Sequence, residues 1–138
     1  MEKIILKGRE IPLLYTTWEM KQAQEEIAPL SDLNYLLFGR NPDDETNTSR
    51  YASAEHLNAV AKMIRILGNA GLEEAGEEPN LTDKSVMRAI KPGDLVFIVD
   101  KCINAMNEGL ASEIQEEKKE GPVDVTLEKI NKKKEKES

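Results

Sequence analysis

Cysteine and histidine are nearly missing from this chain, which has one of each in 138 residues, Cys102 and His56. A lone cysteine forms no internal disulfide, so the stapled scaffold of a small secreted domain is excluded. A zinc site draws several ligands from Cys and His, and these two residues fall on different predicted helices. A Cys–His nucleophile needs a thiolate beside the imidazole. Cys102 instead falls within an apolar stripe, where a free cysteine behaves as a small hydrophobe. Aromatics are also scarce, with one Trp, three Tyr and two Phe. That scarcity disfavours a β sandwich, because strands draw on aromatic and β-branched residues. There is no basic excess: 19 Lys and Arg stand against 26 Asp and Glu, for a net charge of −7. An acidic surface does not grip a phosphate backbone or an anionic membrane. No apolar run approaches the ~20 residues that span a bilayer. The opening MEKIILKGRE is too polar for a secretory leader. The expectation is a reduced, cytoplasmic protein that binds neither nucleic acid nor membrane.

What the chain does have is helical periodicity. Residues 3–15 come first and read as a β-hairpin: Ile4–Leu6 and Ile11–Tyr15 flank Lys7-Gly8-Arg9-Glu10, and Gly8 supplies the positive φ of a tight turn. Pro12 lacks a backbone donor and suits an edge. Thr16 and Glu19 have capping-box spacing and open a helix that presents Trp18, Met20, Ala23 and Ile27. Pro29 ends it. Ser31-Asp32 is a candidate cap for a short helix through Leu33, Leu36, Leu37 and Phe38, which Gly39 stops. Residues 40–52 are a polar loop. Ser53 caps a long helix whose Leu57, Val60, Ala61, Ile64 and Leu67 share one face, and Gly68 and Gly71 are expected to close it. Thr82 caps the next helix, with Val86, Met87 and Ile90 on one side. Lys91 is placed at its C-terminal end, where the helix dipole favours a cation. After the Pro92-Gly93 break, Asp94 opens the cleanest stripe: Leu95, Val99, Cys102, Ile103, Met106 and Leu110.

From Gln115 the character changes. Residues 115–138 hold seven Lys and seven Asp or Glu, so the whole −7 sits on residues 1–114. Val123, Val125, Leu127 and Ile130 are the large apolar residues of this segment, too few to offset the entropy of ordering on their own. The fold class is therefore α+β, mostly α. An N-terminal hairpin packs on a bundle of about four to five helices, residues 1–114 form one domain, and 115–138 form a charged, flexible tail.

The chemistry-bearing patterns are weak. Gly71 and Gly76 have the glycine spacing of a P-loop, but Glu77 and Glu78 stand where Lys and Ser/Thr are needed. Gly68 or Gly71 reads instead as a helix C-cap, and Gly76-Glu77-Glu78-Pro79 as a turn. Adjacent acids such as Glu73-Glu74 point about 100° apart on a helix and do not converge. The segment NPDDETNTS lacks the spacing of a calcium loop. Leu67 to Leu81 is too long a connection for a helix-turn-helix. No catalytic residue, metal ligand or cofactor is expected, and the chain reads as a binding protein.

The order of these pieces resembles the tail assembly chaperones of long-tailed bacteriophages and prophages of Gram-positive bacteria. The resemblance rests on Ile4, Leu6, Gly8, Ile11, Leu13, Tyr15 and Thr16 of the hairpin and on the helix start Leu81, Thr82 and Val86, followed by a long helix and a charged tail. It implies a non-catalytic chaperone that binds the tape-measure protein in the bacterial cytoplasm and keeps its apolar helices soluble. A longer frameshifted form is common in that family, and Lys132-Lys133-Lys134 is compatible with a slippery codon run. On this reading Val123, Val125, Leu127 and Ile130 are the partner-binding residues, with Val125, Leu127 and Ile130 as one face of a helix induced on binding; the alternative is a solvated tail with no role beyond solubility, and self-association through the long helices is expected. Two other readings stand beside it: a structural minor tail or head–tail connector protein, and a small cytoplasmic adaptor unrelated to phage.

Overall fold

A computed structural model of the chain describes residues 1–38 and 51–111. It has an N-terminal hairpin and five α-helices. Strands β1 (Lys3–Leu6) and β2 (Arg9–Pro12) pair antiparallel, with Ile4 opposite Ile11. The turn is only Lys7-Gly8. Both residues have positive φ, 51° and 79°, the backbone twist that two-residue hairpins favour. The expected second strand is thus shorter than Ile11–Tyr15 and starts earlier. Pro12 faces Lys3; the flanking ladder bond runs from the Leu13 N–H to the Glu2 carbonyl at 2.9 Å. Pro12 therefore stands at a position whose N–H would point away from β1, and its missing donor removes no ladder bond. Ile4, Leu6, Ile11, Leu13 and Tyr15 are buried while Ile5 faces out, the period-two alternation of a half-covered sheet.

Helix α1 (Thr17–Glu26) begins at the expected capping box. The Thr16 N–H donates to the Glu19 carboxylate at 2.8 Å. Its inward residue is Ala23, while Trp18 is 67% exposed with the Lys21 ammonium 5.2 Å from its ring. The expected core contact of Trp18 is not made: Trp18 lies five residues before Ala23, on another side of the 100° wheel. Helix α2 (Leu30–Phe38) begins one residue before the expected Ser31-Asp32 cap and buries Leu33 and Leu37.

Helix α3 (Ala54–Glu74) is the centre of the domain and packs against α1, α2, β2, α4 (Asp83–Ala89) and α5 (Leu95–Leu110). Ser53 caps it by accepting from the His56 N–H at 3.2 Å. Here the structure corrects the sequence reading. Gly68 and Gly71 do not end α3; they lie inside it, and both are buried. A Cβ on Gly71 would stand 1.9 Å from the Pro12 carbonyl oxygen, and one on Gly68 would stand 3.0 Å from Ile11 and 2.6 Å from Leu81. The hairpin runs directly over these glycines, and the Leu14 N–H donates to the Leu67 carbonyl at 3.1 Å. The stop is Gly76, φ 77°. Its N–H bonds the Glu73 carbonyl at 3.0 Å and the Glu77 N–H bonds the Leu72 carbonyl at 2.8 Å, which is a Schellman closure.

The 75–82 connection is pinned at two points. Asn69 both donates to and accepts from the Leu81 backbone, at 3.1 and 2.9 Å, and Arg9 donates to Asn80 Oδ1 at 2.8 Å. Thr82 and Ser85 cap α4 reciprocally. A single 3-10 turn, Pro92–Asp94, joins α4 to α5, so Lys91 falls beyond α4 and not in its last turn. Asp94 precedes α5 without a side-chain cap bond. Leu95, Val99, Cys102 and Met106 are buried along α5, but Leu110 at its end is exposed. Gly109 allows α5 to meet the strand exit, since a Cβ there would lie 2.1 Å from the Tyr15 carbonyl oxygen.

Candidate functional site

An apolar concavity follows from how short α4 is. Val86 turns into the core; Met87 comes 100° further round and is 39% exposed. Across from it, the first half of α3 sends Val60 and Ala61 into the core and leaves Leu57 37% exposed. Between them lies a groove of about 470 Å³, walled by Tyr51, Leu57, Val60, Met87, Ile90 and Leu95. Its floor is the core itself, and its lips are side chains on three helices and the turn before α3. An unbranched methionine at such a lip adapts to differently shaped occupants.

His56 holds one lip in place. It is buried, and both ring nitrogens have partners. Nε2 donates to the Leu37 carbonyl at 2.7 Å, and Nδ1 accepts from the Ala52 N–H at 2.8 Å. The Tyr51 ring is 5.1 Å away. Ala52 carries a positive φ of 65°, a left-handed turn that an alanine adopts only when its surroundings impose it. The histidine thus ties the end of α2 to the Tyr51-Ala52 lip of the groove.

Cys102 is fully buried on α5, and desolvation pushes its thiol up to about 12. Thiolate, not thiol, attacks disulfide reagents. Labelling of native protein by an aromatic disulfide reagent is therefore expected to be at least about 10³-fold slower than in urea, and to report global opening. Comparable rates in the two conditions would contradict the burial.

Ionised side chains cluster where α1, α3 and α4 meet. Arg65 bonds both Glu26 and Asp83, and Lys62 reaches Asp83 at 2.9 Å. Hydrogen bonds from Gln22 and then Arg65 hold Glu26 below the usual carboxylate range. At Asp83, burial pushes upward, but the bonds from Arg65 and Lys62 outweigh it and leave the group lowered. Lowered folded-state values mean that the clamp stabilises above the unfolded pKa values of about 3.9–4.3 and fades as pH falls through the folded ones. Both carboxylates are about one-third exposed, so solvent screening limits the clamp to about 1 kcal/mol. The stability gap between wild type and Arg65→Met, from urea midpoints, is expected to shrink between about pH 5 and pH 3. A gap independent of pH would assign the effect to packing of the Arg65 stem.

A second concavity, about 550 Å³, opens beside Leu13, Tyr15, Thr16, Glu108 and Gly109. The Tyr15 hydroxyl is buried with no partner among the described residues, and desolvation raises its pKa. Glu108 accepts from the Glu2 N–H at 3.3 Å and lies 3.9 Å from the N-terminal ammonium. Among the described residues no group of three His, Cys, Asp or Glu is placed to hold a metal ion, and no helix is long and apolar enough to cross a membrane.

The residues singled out from sequence, Val123, Val125, Leu127 and Ile130, lie outside the described residues. From sequence, Leu57, Val60, Met87, Ile90 and Leu95 read as helix-face residues and not as the walls of a groove, because a helical stripe does not tell which of its turns a neighbour covers. The one available signal was that α4 is too short to cover the first turns of α3. No protein-family model, curated protein or solved structure matches the chain, so the groove is interpreted on its own chemistry.

Proposed function

We propose that the chain is a non-catalytic binding protein that receives an apolar helix of a protein partner in the α3–α4–α5 groove. The observation that carries this reading is the groove itself: an apolar trough with Tyr51, Leu57 and Met87 exposed at its lips, on a chain of net charge −7. Helix-in-groove recognition uses anchors at i, i+3 or i+4, and i+7, and the ridge of one helix fits between two others at 8–10 Å. The order of elements described above suggests the setting, phage or prophage tail assembly. The partner would be the tape-measure protein, whose apolar helices need cover before the tail tube forms. A holdase of this kind needs an exposed apolar surface and no reaction chemistry.

The test is co-expression with the long protein encoded immediately downstream. A soluble complex is expected, and Leu57→Asp with Met87→Asp should weaken retention at least about tenfold, since each side chain contributes about 1.5 kcal/mol or more when buried. A complex indifferent to both substitutions would overturn the groove assignment. Failure to form a complex would overturn the choice of partner. Recovery of the chain from purified virions would make it a structural component of the particle instead.

A further inference from the structure

We infer that the chain's own C-terminal segment, residues 123–130, occupies the α3–α4–α5 groove until a partner displaces it. The inference rests on the groove reading above and adds regulation to it. Two stretches lie outside the described residues, 39–50 and 112–138. The first, GRNPDDETNTSR, has no large apolar side chain to offer an apolar trough. The second has five: Ile114, Val123, Val125, Leu127 and Ile130.

Reach selects among them. The described chain ends at Ala111, just past α5, whereas the groove lies at Leu95, the other end of that helix. Sixteen helical residues span about 24 Å at about 1.5 Å each. An extended chain covers about 3.3 Å per residue, so about seven residues are needed to run back along α5. Ile114 is too near the exit to make that return. Val123 is the first large apolar residue beyond the required length, after the charged spacer and Gly121-Pro122. Val123, Leu127 and Ile130 then step at 0, 4 and 7, the anchor spacing a helix presents to a groove. Pro122 suits the first turn of such a helix.

Charge permits the return. Residues 115–138 carry seven positive and seven negative side chains, while residues 1–114 hold the whole −7; the docking segment's net −1 (Asp124, Glu128, Lys129) is followed at once by Lys132-Lys133-Lys134, so the tail as a whole is not repelled. The tether sets an effective concentration of about 1 mM for a spacer this short. Even a weak intrinsic affinity then covers the apolar lips. A partner must compete with the tail, and its apparent affinity falls in proportion to the fraction of open groove. A tail docked for nine-tenths of the time weakens the competitor about tenfold. The groove is thereby shielded from casual apolar contacts without being closed to a tight-binding helix.

The experiment uses the full chain with 13C-labelled methionine methyls. Met87 lies at the groove lip and Met63 in the closed core. Leu127→Asp with Ile130→Asp is expected to shift the Met87 methyl and leave Met63 in place. An unmoved Met87 overturns the inference. So does a wild-type Met87 position that changes with protein concentration, which would make a second copy the occupant. In a Cys102→Ser background, Leu57→Cys with Leu127→Cys is expected to oxidise to a monomeric disulfide; a disulfide-linked dimer overturns the tail's claim. If Met87 is unmoved while Leu57→Asp still abolishes partner retention, only the tail inference falls. If Met87 responds while Leu57→Asp leaves retention intact, the tail docks but the proposed partner site is elsewhere.

Discussion

Gly71→Ala is expected to be the most damaging small substitution in the domain. On an exposed helix the change would stabilise by about 1 kcal/mol. Here the new methyl would lie 1.9 Å from the Pro12 carbonyl oxygen and 2.5 Å from its carbon. Those are backbone atoms of a strand held by ladder bonds, so no rotamer change relieves the clash. Either the hairpin lifts from α3 or α3 bends away. Both break the Leu14–Leu67 bond and expose Ile11 and Leu13. A net loss of about 3 kcal/mol or more is expected, seen as a fall in thermal midpoint of about 10 °C or more. Amide exchange at Leu13 and Leu14 should accelerate together. Gly93→Ala is the control, since nothing lies within 4 Å of the added carbon there, and its stability should stay within about 0.5 kcal/mol of wild type. Equal behaviour of the two variants would remove the close-approach account of α3.

His56→Leu is expected to cost about 2–5 kcal/mol, although it exchanges one buried residue for another of similar bulk. Leucine fills the space but leaves the Leu37 carbonyl and the Ala52 N–H without the partners they have at 2.7 and 2.8 Å. Each buried orphan costs about 1–3 kcal/mol. The loss should be local before it is global. Faster exchange is expected at Ala52 and along α2, with α5 retaining its protection. The variant also tests whether the lip matters: releasing Ala52 from its positive φ frees Tyr51, so partner retention should fall further than stability alone accounts for. If α2 and α5 lose protection equally, the histidine supports the whole core and not the lip.

Much of the architecture was legible in the residues because it depends on local rules. The capping box at Thr16 and Glu19, the Ser53 and Thr82 caps, and the period-two burial of the hairpin all involve neighbours within four positions. Helical stripes placed Ala23, Ile64, Leu67, Val99 and Cys102 inside, and all are buried. The misreadings share one cause. Gly68 and Gly71 looked like a helix end because glycine usually is one; that they receive a strand depends on residues more than fifty positions earlier. Gly109 likewise meets the Tyr15 backbone, which lies far earlier in the chain. Trp18 and Leu110 belong to apolar patterns yet point to solvent, Trp18 because it lies off the face that Ala23 buries and Leu110 because it lies at the end of α5.

The amino-acid sequence by itself determined the helical class, the acidic and thiol-poor character, and the contrast in charge between residues 1–114, which hold the whole −7, and the neutral, charge-dense residues 115–138. Composition and short-range periodicity are enough for these, since backbone propensity and net charge do not depend on distant contacts. Only the tertiary structure decided that the glycines of α3 are a track for the hairpin, that the single histidine ties α2 to the start of α3, and that a short α4 leaves Leu57 and Met87 lining one apolar trough. Each of these is a distance between segments far apart in the chain, fixed by packing a bundle whose helices differ in length.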